Sequence, residues 1–576
     1  MGRIALAVAV TCWFGSLSFV FTRPVAAHAA DSVAGQPGDN LYFVWLFDWY
    51  ERAIFELHQS PTFSPWLNFP DGWSLASTQL PQAMVWLGLP VSVLAGPVAA
   101  YNFAALASFF LSGVAVYLYV RRWTGATLPA LLAGTLFAFS PYRQAHFLIG
   151  HLDILGTFWP ALYVLSLIDI CLGKGRSFWA SAALCLSLFA TGLTSPYYLY
   201  MSLLLTPVIV ITLGLRGSLS GQAARRARHT LAVGGALAVP LLVIAIWPYL
   251  ELARLGTIGE RSREYVRLYS ASPTDYIIPS TTSMIWAPWV SAHFDRDLWV
   301  EGTLYLGAVG TSLAILTIAR RSRMGEIGSQ VAIAGLAVGA IAFVLSLGTD
   351  LVWLSNAVRV PVPEFARGWH PADYVHIPLP GRLLFEYLPM YSSMRVPMRF
   401  GLFVILAVSL LAGLGAGQIT ACTKRPMLRA LVASLLILLV VADFIPNPVP
   451  VFEVRPRAVD LWLRDKPGDG AVAQFPFNLQ EDQYHVYYTA IHRKPFLGGM
   501  FNAFPPPQYQ RIRPIMDNFP DEESIRELRG LDVMYVVVHE ASYSEFPAVE
   551  ARILQSGLCA LVTLEGEHVY TWCRGG

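Results

Sequence analysis

The chain has 576 residues, 55% of them hydrophobic and 14% charged, with a formal net charge of +2. Soluble domains run near 25% charged, so this composition excludes a soluble enzyme and a disordered protein. The small net charge gives no polyanion footprint, which argues against a nucleic-acid partner. Apolar residues come in blocks of about 20, the length that crosses a bilayer core, and predict a polytopic helical membrane protein.

The first block, 4–21, follows Arg3 and runs into Arg23-Pro24. A signal peptide cut at Ala27-His28-Ala29 fits this pattern, and so does an uncleaved span. The uninterrupted apolar run favours the span. An outer loop over 24–97 follows. Within it Asp48, Glu51, Arg52 and Glu56 share one helical stripe beside Phe43, Phe47, Tyr50 and Ile54, predicting an amphipathic helix over 41–57. Trp45 and Trp49 suit the headgroup level, so the helix is expected to float on the membrane, with Asp48 and Arg52 paired at i,i+4. Asp39, in Pro37-Gly38-Asp39-Asn40, precedes this helix and reads either as its N-cap or as a functional carboxylate. Residues 81–97 are apolar but interrupted by Gly88, Pro90 and Gly96, and predict a re-entrant or interfacial helix on the outer side.

Further spans are predicted over 98–120, 126–140, 152–172, 178–194, 197–215, 230–250, 302–319, 328–348, 399–419 and 427–446, about eleven in all. Basic residues are retained on the cytoplasmic side. With the N-terminus inside, Arg3, Arg121, Arg122, Lys174, Arg176, Arg216, Arg225, Arg226, Arg228, Arg320, Arg321, Arg323, Lys424 and Arg425 all fall there, against one acid, Glu326. This charge check also keeps 81–97 from spanning, since a span there would turn Arg121 and Arg122 outward. Residues 1–446 thus read as a transmembrane domain, N-in, with large outer loops at 24–97, 251–301 and 349–398. Together with the C-terminal residues 447–576 these loops make up more than half the chain. Any chemistry is expected on that side.

The C-terminal part changes character after Pro446, Pro448 and Pro450. A helix is predicted over 457–464, a strand over 471–477, helices near 508–518 and 521–529, a strand over 533–539, a helix over 545–556, and a hairpin over 560–565 and 568–572. This mixture predicts a small extracytoplasmic α/β domain over 447–576. Cys559 and Cys573 flank the hairpin, as a disulfide or as two free thiols.

No GxSxG, P-loop or HExxH motif occurs, and no internal repeat. The candidates are ionisable groups at outer membrane boundaries, where charge is costly and function is the default reading. Besides Asp39 they include the turn Pro141 to Asp153, which carries Arg143, His146, His151 and Asp153. A metal set of His146, His151 and Asp153, a polar cavity lining and plain interfacial anchoring are all compatible with it. Thr194-Ser195-Pro196-Tyr197-Tyr198 forms another outer turn, either a cleft or an aromatic belt, and Glu264 belongs to a charged stretch, Glu260 to Tyr265, otherwise read as solvated. Arg395 and Arg399 precede a span on the outer side. Arginine forks match phosphate geometry, and the alternative is headgroup snorkelling.

GDNLYFVWLFDW, YRQAHFLIGHLD, SSMRVPMRFG and FPDEESIRELRGLDVMYVVVH resemble a group of bacterial predicted membrane glycosyltransferases. More broadly, the early Asp in a large first outer loop, the many spans and the C-terminal outer domain resemble the GT-C class. That class includes oligosaccharyltransferases, protein O-mannosyltransferases, arabinosyltransferases and aminoarabinose transferases. The resemblance implies a GT-C-like fold in a bacterial plasma membrane, with chemistry on the extracytoplasmic side. It implies a polyprenyl-phosphate-linked sugar donor, membrane lipid as a further partner, and transfer with inversion to a glycan, lipid or protein acceptor. Carried over, Asp39 is the base, Arg395 and Arg399 hold the lipid phosphate, and Arg143, His146, His151, Asp153, Tyr197 and Glu264 line the cleft. Many such proteins carry two adjacent acids in the first loop. Here Asp39 is followed by Asn40, a poorer donor set for a divalent metal, and no metal ligand is assigned. A lipid or polysaccharide transporter and a non-catalytic scaffold for envelope glycan assembly are the competing readings. A transporter needs polar residues across the membrane, and ionisable residues inside the predicted spans are few, with Asp169 near an inner end and Asp443 near an outer end.

Overall fold

A chain that crosses lipid must satisfy its backbone internally, so the apolar blocks fold as helices. The computed structural model describes residues 2–174, 177–217, 221–256, 259–295, 300–362, 364, 373–468, 470–501 and 505–573. Arg176, counted above on the inner side, lies outside them. By length and composition, eight described helices are able to cross a membrane: Arg3–Phe21, Pro97–Thr124, Leu152–Cys171, Pro196–Leu215, Ala224–Arg254, Glu326–Ser346, Pro397–Ala421 and Pro426–Phe444. The protein is a polytopic, mostly helical integral membrane protein. The segments predicted over 126–140 and 302–319 are shorter than expected. The helices there, Thr127–Ala138 and Ala308–Ala319, have 12 residues each. At 1.5 Å per residue they reach about 18 Å, short of a bilayer core. Residues 81–97 form the helix Gln82–Ala95, broken from the following long helix at Gly96.

Burial sorts the bundle. Within Leu152–Cys171 and Pro397–Ala421, 89% of the apolar window is buried, against 22% in Ala224–Arg254 and Pro426–Phe444. The first two are therefore central and the last two present apolar side chains to lipid.

The helix predicted to float does not. It spans Asp39–Glu51, and Leu41 to Phe47, Trp49 and Tyr50 are all buried. Trp45 donates to Thr489 Oγ1 at 2.8 Å and Trp49 to the Pro61 carbonyl at 3.0 Å, so neither sits at a headgroup. The polar stripe is also partnered differently: Arg493 meets Asp48 at 3.5 Å, and Arg52 pairs with Glu56 at 3.5 Å. The cause is a helix the hydrophobic pattern does not show, Leu479–His492, which packs along Asp39–Glu51. Its composition is polar, yet it carries a start signal: the Asn478 side chain accepts from the backbone N–H groups of Gln480 and Glu481.

Beyond this helix the C-terminal residues build a four-stranded mixed sheet. In order its strands are Leu558–Leu564, Glu567–Trp572, Val533–His539 and Ala471–Phe475. The last two are parallel, with Val536 opposite Ala473, and the other pairs are antiparallel. Cys559 and Cys573 are joined as a disulfide across the terminal hairpin. The strand Ser32–Ala34 pairs with Val451–Glu453, which ties the segment before Asp39 to the start of the C-terminal part.

Candidate active site

Two backbone segments meet at the site, 35–40 and 148–151. Glycines permit the approach. Gly35 and Gly150 both have positive φ, +77° and +82°, and a Cβ on Gly150 would lie 2.6 Å from the backbone nitrogen of Asn40. A Cβ on Gly35 would collide with the Leu148 carbonyl. Asn40 holds the first segment in shape. Its Nδ2 donates to the carbonyls of Ala34 and Gln36, and its Oδ1 accepts from the N–H groups of Gly38 and Leu41.

Asp39 is the first residue of its helix, with Gly38 at the N-cap position and no side-chain cap. Its carboxylate therefore does not cap. Asp39 Oδ2 faces His151 Nε2 at 3.2 Å and accepts from Gln79 Nε2 at 3.5 Å. Burial pushes the Asp39 carboxyl up, but the His151 hydrogen bond and charge, Gln79 and the Arg395 guanidinium outweigh it and hold it below its usual range. Behind His151, its Nδ1 lies 2.9 Å from His146 Nδ1. His146 Nε2 then lies 3.6 Å from Glu301, and Glu301 Oε1 accepts from Arg399 Nη2 at 2.7 Å. The result is one line of ionisable groups: Asp39, His151, His146, Glu301, Arg399.

The line constrains its own protons. Burial, helped by His151 and Arg399, keeps His146 neutral against the opposing pull of Glu301. The Nδ1 to Nδ1 contact needs one donor. If His146 donates, a bare Nε2 lone pair faces the Glu301 carboxylate. If His151 donates, His146 turns Nε2–H toward Glu301 and the contact is attractive. Burial also disfavours the Glu301 carboxylate, yet the Arg399 guanidinium holds its carboxyl at about 2.

A cavity of about 160 Å³ adjoins this line. Its lining includes Gln79, Asp153, Tyr197, Arg261, Arg395 and Arg399. The Arg395 guanidinium stacks over Tyr269 at 5.0 Å, and no carboxylate pairs with it among the described residues. Arg399 lies over Tyr197 at 4.8 Å, and Tyr197 Oη accepts from the Arg395 backbone N–H at 3.3 Å. Tyr197 and Tyr249 also line a second, apolar cavity of about 190 Å³ with Tyr200, Met390 and Met394. A basic chamber and an apolar one thus share a wall.

Sequence expectations fare unevenly here. Asp39, His151, Asp153, Tyr197, Arg395 and Arg399 come together. Arg143 does not line the cavity: it is fully buried in the bundle, donating to the carbonyls of Ala138 and Leu155 and to Ser108 Oγ, over the Phe109 ring. His146 lies behind His151 rather than on the wall. Glu264 is exposed on the short helix Arg263–Leu268 and belongs to neither cavity. Its neighbour Arg261 takes the place on the wall. Glu301 escaped sequence reading because a lone acid just before an apolar block looks like an ordinary boundary charge. Asp169 and Asp443 are likewise engaged, the first with Arg122 and Trp123, the second with Trp286 and Tyr305.

The alternative metal set of His146, His151 and Asp153 is not the cluster found among the described residues. His146, His151 and Glu301 bring ligand atoms within 4.8 Å of one another. The His146–His151 contact and the Arg399 pair already engage the Nδ1 atoms and the Glu301 carboxylate, and Asn40 is spent on backbone. A hard divalent cation, which prefers several carboxylate oxygens, does not fit this donor set.

The fold is similar to that of membrane-embedded glycosyltransferases of known structure. Arabinofuranosyltransferase AftD from Mycobacteria superposes with a TM-score of 0.58 at 14% identity, over 100% of this chain and 40% of AftD. The chain thus spans about two fifths of that protein's length. The oligosaccharyltransferase from Archaeoglobus fulgidus superposes with a TM-score of 0.54 at 13% identity, over 98% of this chain and 74% of that one. The chain belongs to the family described as a domain of unknown function, DUF6311, which matches residues 6–370. No curated protein sequence matches it.

Proposed function

We propose that this protein is a membrane glycosyltransferase that moves a sugar from a polyprenyl-phosphate-linked donor to an extracytoplasmic acceptor, with inversion. One observation carries the reading: the basic cavity beside Asp39 shares Tyr197 and Tyr249 with an apolar one, so a phosphate head and a lipid chain each find matching chemistry next to a carboxylate. A structural relative, the Archaeoglobus fulgidus oligosaccharyltransferase AglB, is known in complex with dolichol-phosphate and an inhibitory peptide, which supports the donor class.

The acceptor hydroxyl attacks the anomeric carbon while the bond from that carbon to the phosphate oxygen breaks. The phosphate leaves with the electron pair and needs no proton. The acceptor proton passes to Asp39, so a single carboxylate suffices. Arg395 stabilises the departing phosphate, joined by Arg261 on the same wall. Arg399 differs in role. Its guanidinium is already paired with Glu301, so it adds field and shape more than a free fork. His151 holds the Asp39 carboxylate in position.

The test is accumulation of substrate. Cells carrying Asp39→Asn at matched expression should build up a polyprenyl-phosphate sugar and lose a surface glycan. Unchanged lipid and glycan profiles, alongside a defect in the deletion strain, would reject the transferase reading.

A further inference from the structure

A third cavity, of about 430 Å³, opens on the far side of the segment that carries Asp39. Its size suits a small ligand. Gln36, Pro37 and Leu41 form one part of the lining. Tyr484, His485 and Tyr488, on the helix Leu479–His492, form another. Arg457, His539 and Glu567 complete it together with Glu481.

The charge pattern separates this cavity from the basic one. Arg457 gives its fork to Asp460 at 2.7 and 2.8 Å and to Gln474 at 3.0 Å. With Arg457 offset by Asp460, Glu481 and Glu567 leave the lining net negative. Burial holds His485 neutral. A phosphate is repelled here, whereas Arg261 and Arg395 attract one in the other chamber. What the lining offers is an acceptor in Glu481, a second carboxylate, Glu567, that already meets His539 at 3.1 Å and Arg457 at 3.5 Å, a neutral imidazole, and the rings of Tyr484 and Tyr488 on successive turns of one helix, the latter with Arg457 over one face at 4.0 Å. The buried Nδ1 of His485 has no hydrogen-bond partner among the described residues. Hydroxyl groups donate to carboxylates, and the C–H face of a sugar ring packs on an aromatic face.

We infer that this cavity is a binding site for a neutral saccharide, the acceptor of the transfer proposed above; the assignment of acceptor rests on that reading, the saccharide chemistry on the cavity alone. Asp39 itself lines neither chamber. Its neighbours Pro37 and Leu41 face the saccharide side, while its carboxylate turns to Gln79, which lines the basic cavity. A saccharide seated on Tyr484 and Tyr488 lies beside the segment that presents the base.

The experiment uses the full chain in nanodiscs, without any lipid-linked donor, against an array of neutral di- to tetrasaccharides of hexoses and pentoses. Binding is then titrated by tryptophan and tyrosine fluorescence. At least one saccharide class is expected to be retained. Loss of one stacking ring is worth about 1 kcal/mol, so Tyr488→Ala should raise Kd about fivefold. Tyr484→Ala should act in the same direction. Tyr488→Phe keeps the ring and should stay within about threefold of wild type. Arg395→Gln should leave saccharide binding unchanged. Retention of no saccharide, or binding that neither alanine variant weakens, overturns the site. The two readings fail separately. Saccharide binding together with intact transfer by Asp39→Asn removes the transferase mechanism and keeps the cavity. Loss of transfer by Asp39→Asn with no saccharide binding does the reverse.

Discussion

Arg399 and Glu301 face each other in a buried pair, with Arg399 Nη2 at 2.7 Å and Nε at 3.2 Å from Glu301 Oε1. The pair anchors the far end of the line that begins at Asp39. It also explains why an arginine at a span boundary need not be a phosphate ligand.

Breaking that pair strands a buried charge. Glu301→Gln is expected to destabilise the protein by about 3–5 kcal/mol, the range seen when one partner of a buried ion pair is removed. Arg395→Gln removes a half-buried side chain with no carboxylate partner among the described residues and should cost about 1 kcal/mol or less. Denaturant unfolding in mild detergent compares the two. Equal losses would mean that Glu301 and Arg399 do not form the anchor.

Asp39→Asn preserves size and an acceptor oxygen toward His151, so stability should move by about 1 kcal/mol or less. Transfer should nevertheless fall by about 10²–10⁴-fold, the usual contribution of a positioned general base. Radiolabelled lipid-linked sugar, with membranes as the acceptor source, measures the rate. A rate within threefold of wild type would remove Asp39 from catalysis.

Asp48 gives a pH signature. Burial pushes its carboxyl up from 3.8 to about 6, against the pull of Arg493 and Arg52. The folded protein then binds a proton that the unfolded chain has released, so stability falls as pH rises from about 4 to about 6 and is level above. Asp48→Asn should abolish that slope and stabilise the protein at pH 7 by at most about 3 kcal/mol. Unfolding midpoints between pH 4 and 8 test it, and a stability that rises with pH over this window would contradict the burial argument.

The Cys559–Cys573 disulfide spans 14 positions in sequence. Closing a loop of about 15 residues contributes about 3 kcal/mol in the chain-entropy account. Replacing both cysteines with serine should speed amide exchange in Leu558–Leu564 and Glu567–Trp572 and leave the helix Gly401–Ala421 unchanged. Uniform loss of protection across the chain would show that the hairpin is coupled to the whole bundle.

Hydrophobic length and charge bias are local, additive properties, and a reader of the chain recovers them directly. Hence the membrane class, the position of most helices, the strand Val533–His539 and the candidate residues Asp39, His151 and Arg395 were all legible. The helix Leu479–His492 was missed because its buried residues include Asp482, His485, Thr489 and His492 rather than forming an aliphatic stripe, although Asn478 announced its start. Without that helix the segment 41–57 looks like a surface helix, and Trp45 like an interfacial anchor.

Pairing between distant residues is another matter, because it depends on how the helices pack. Asp39 and His151 meet only because Gly35 and Gly150 let two loops touch backbone to backbone. Glu301 joins them from a third segment, and in doing so takes Arg399 out of the set of free cations. Local pattern determines which segments enter the membrane and which residue types stand at its edge. Which of those charges neutralise one another, and which stay open to a ligand, was decided by tertiary contacts, since the energy of a buried charge depends on its partners and not on its place in the chain.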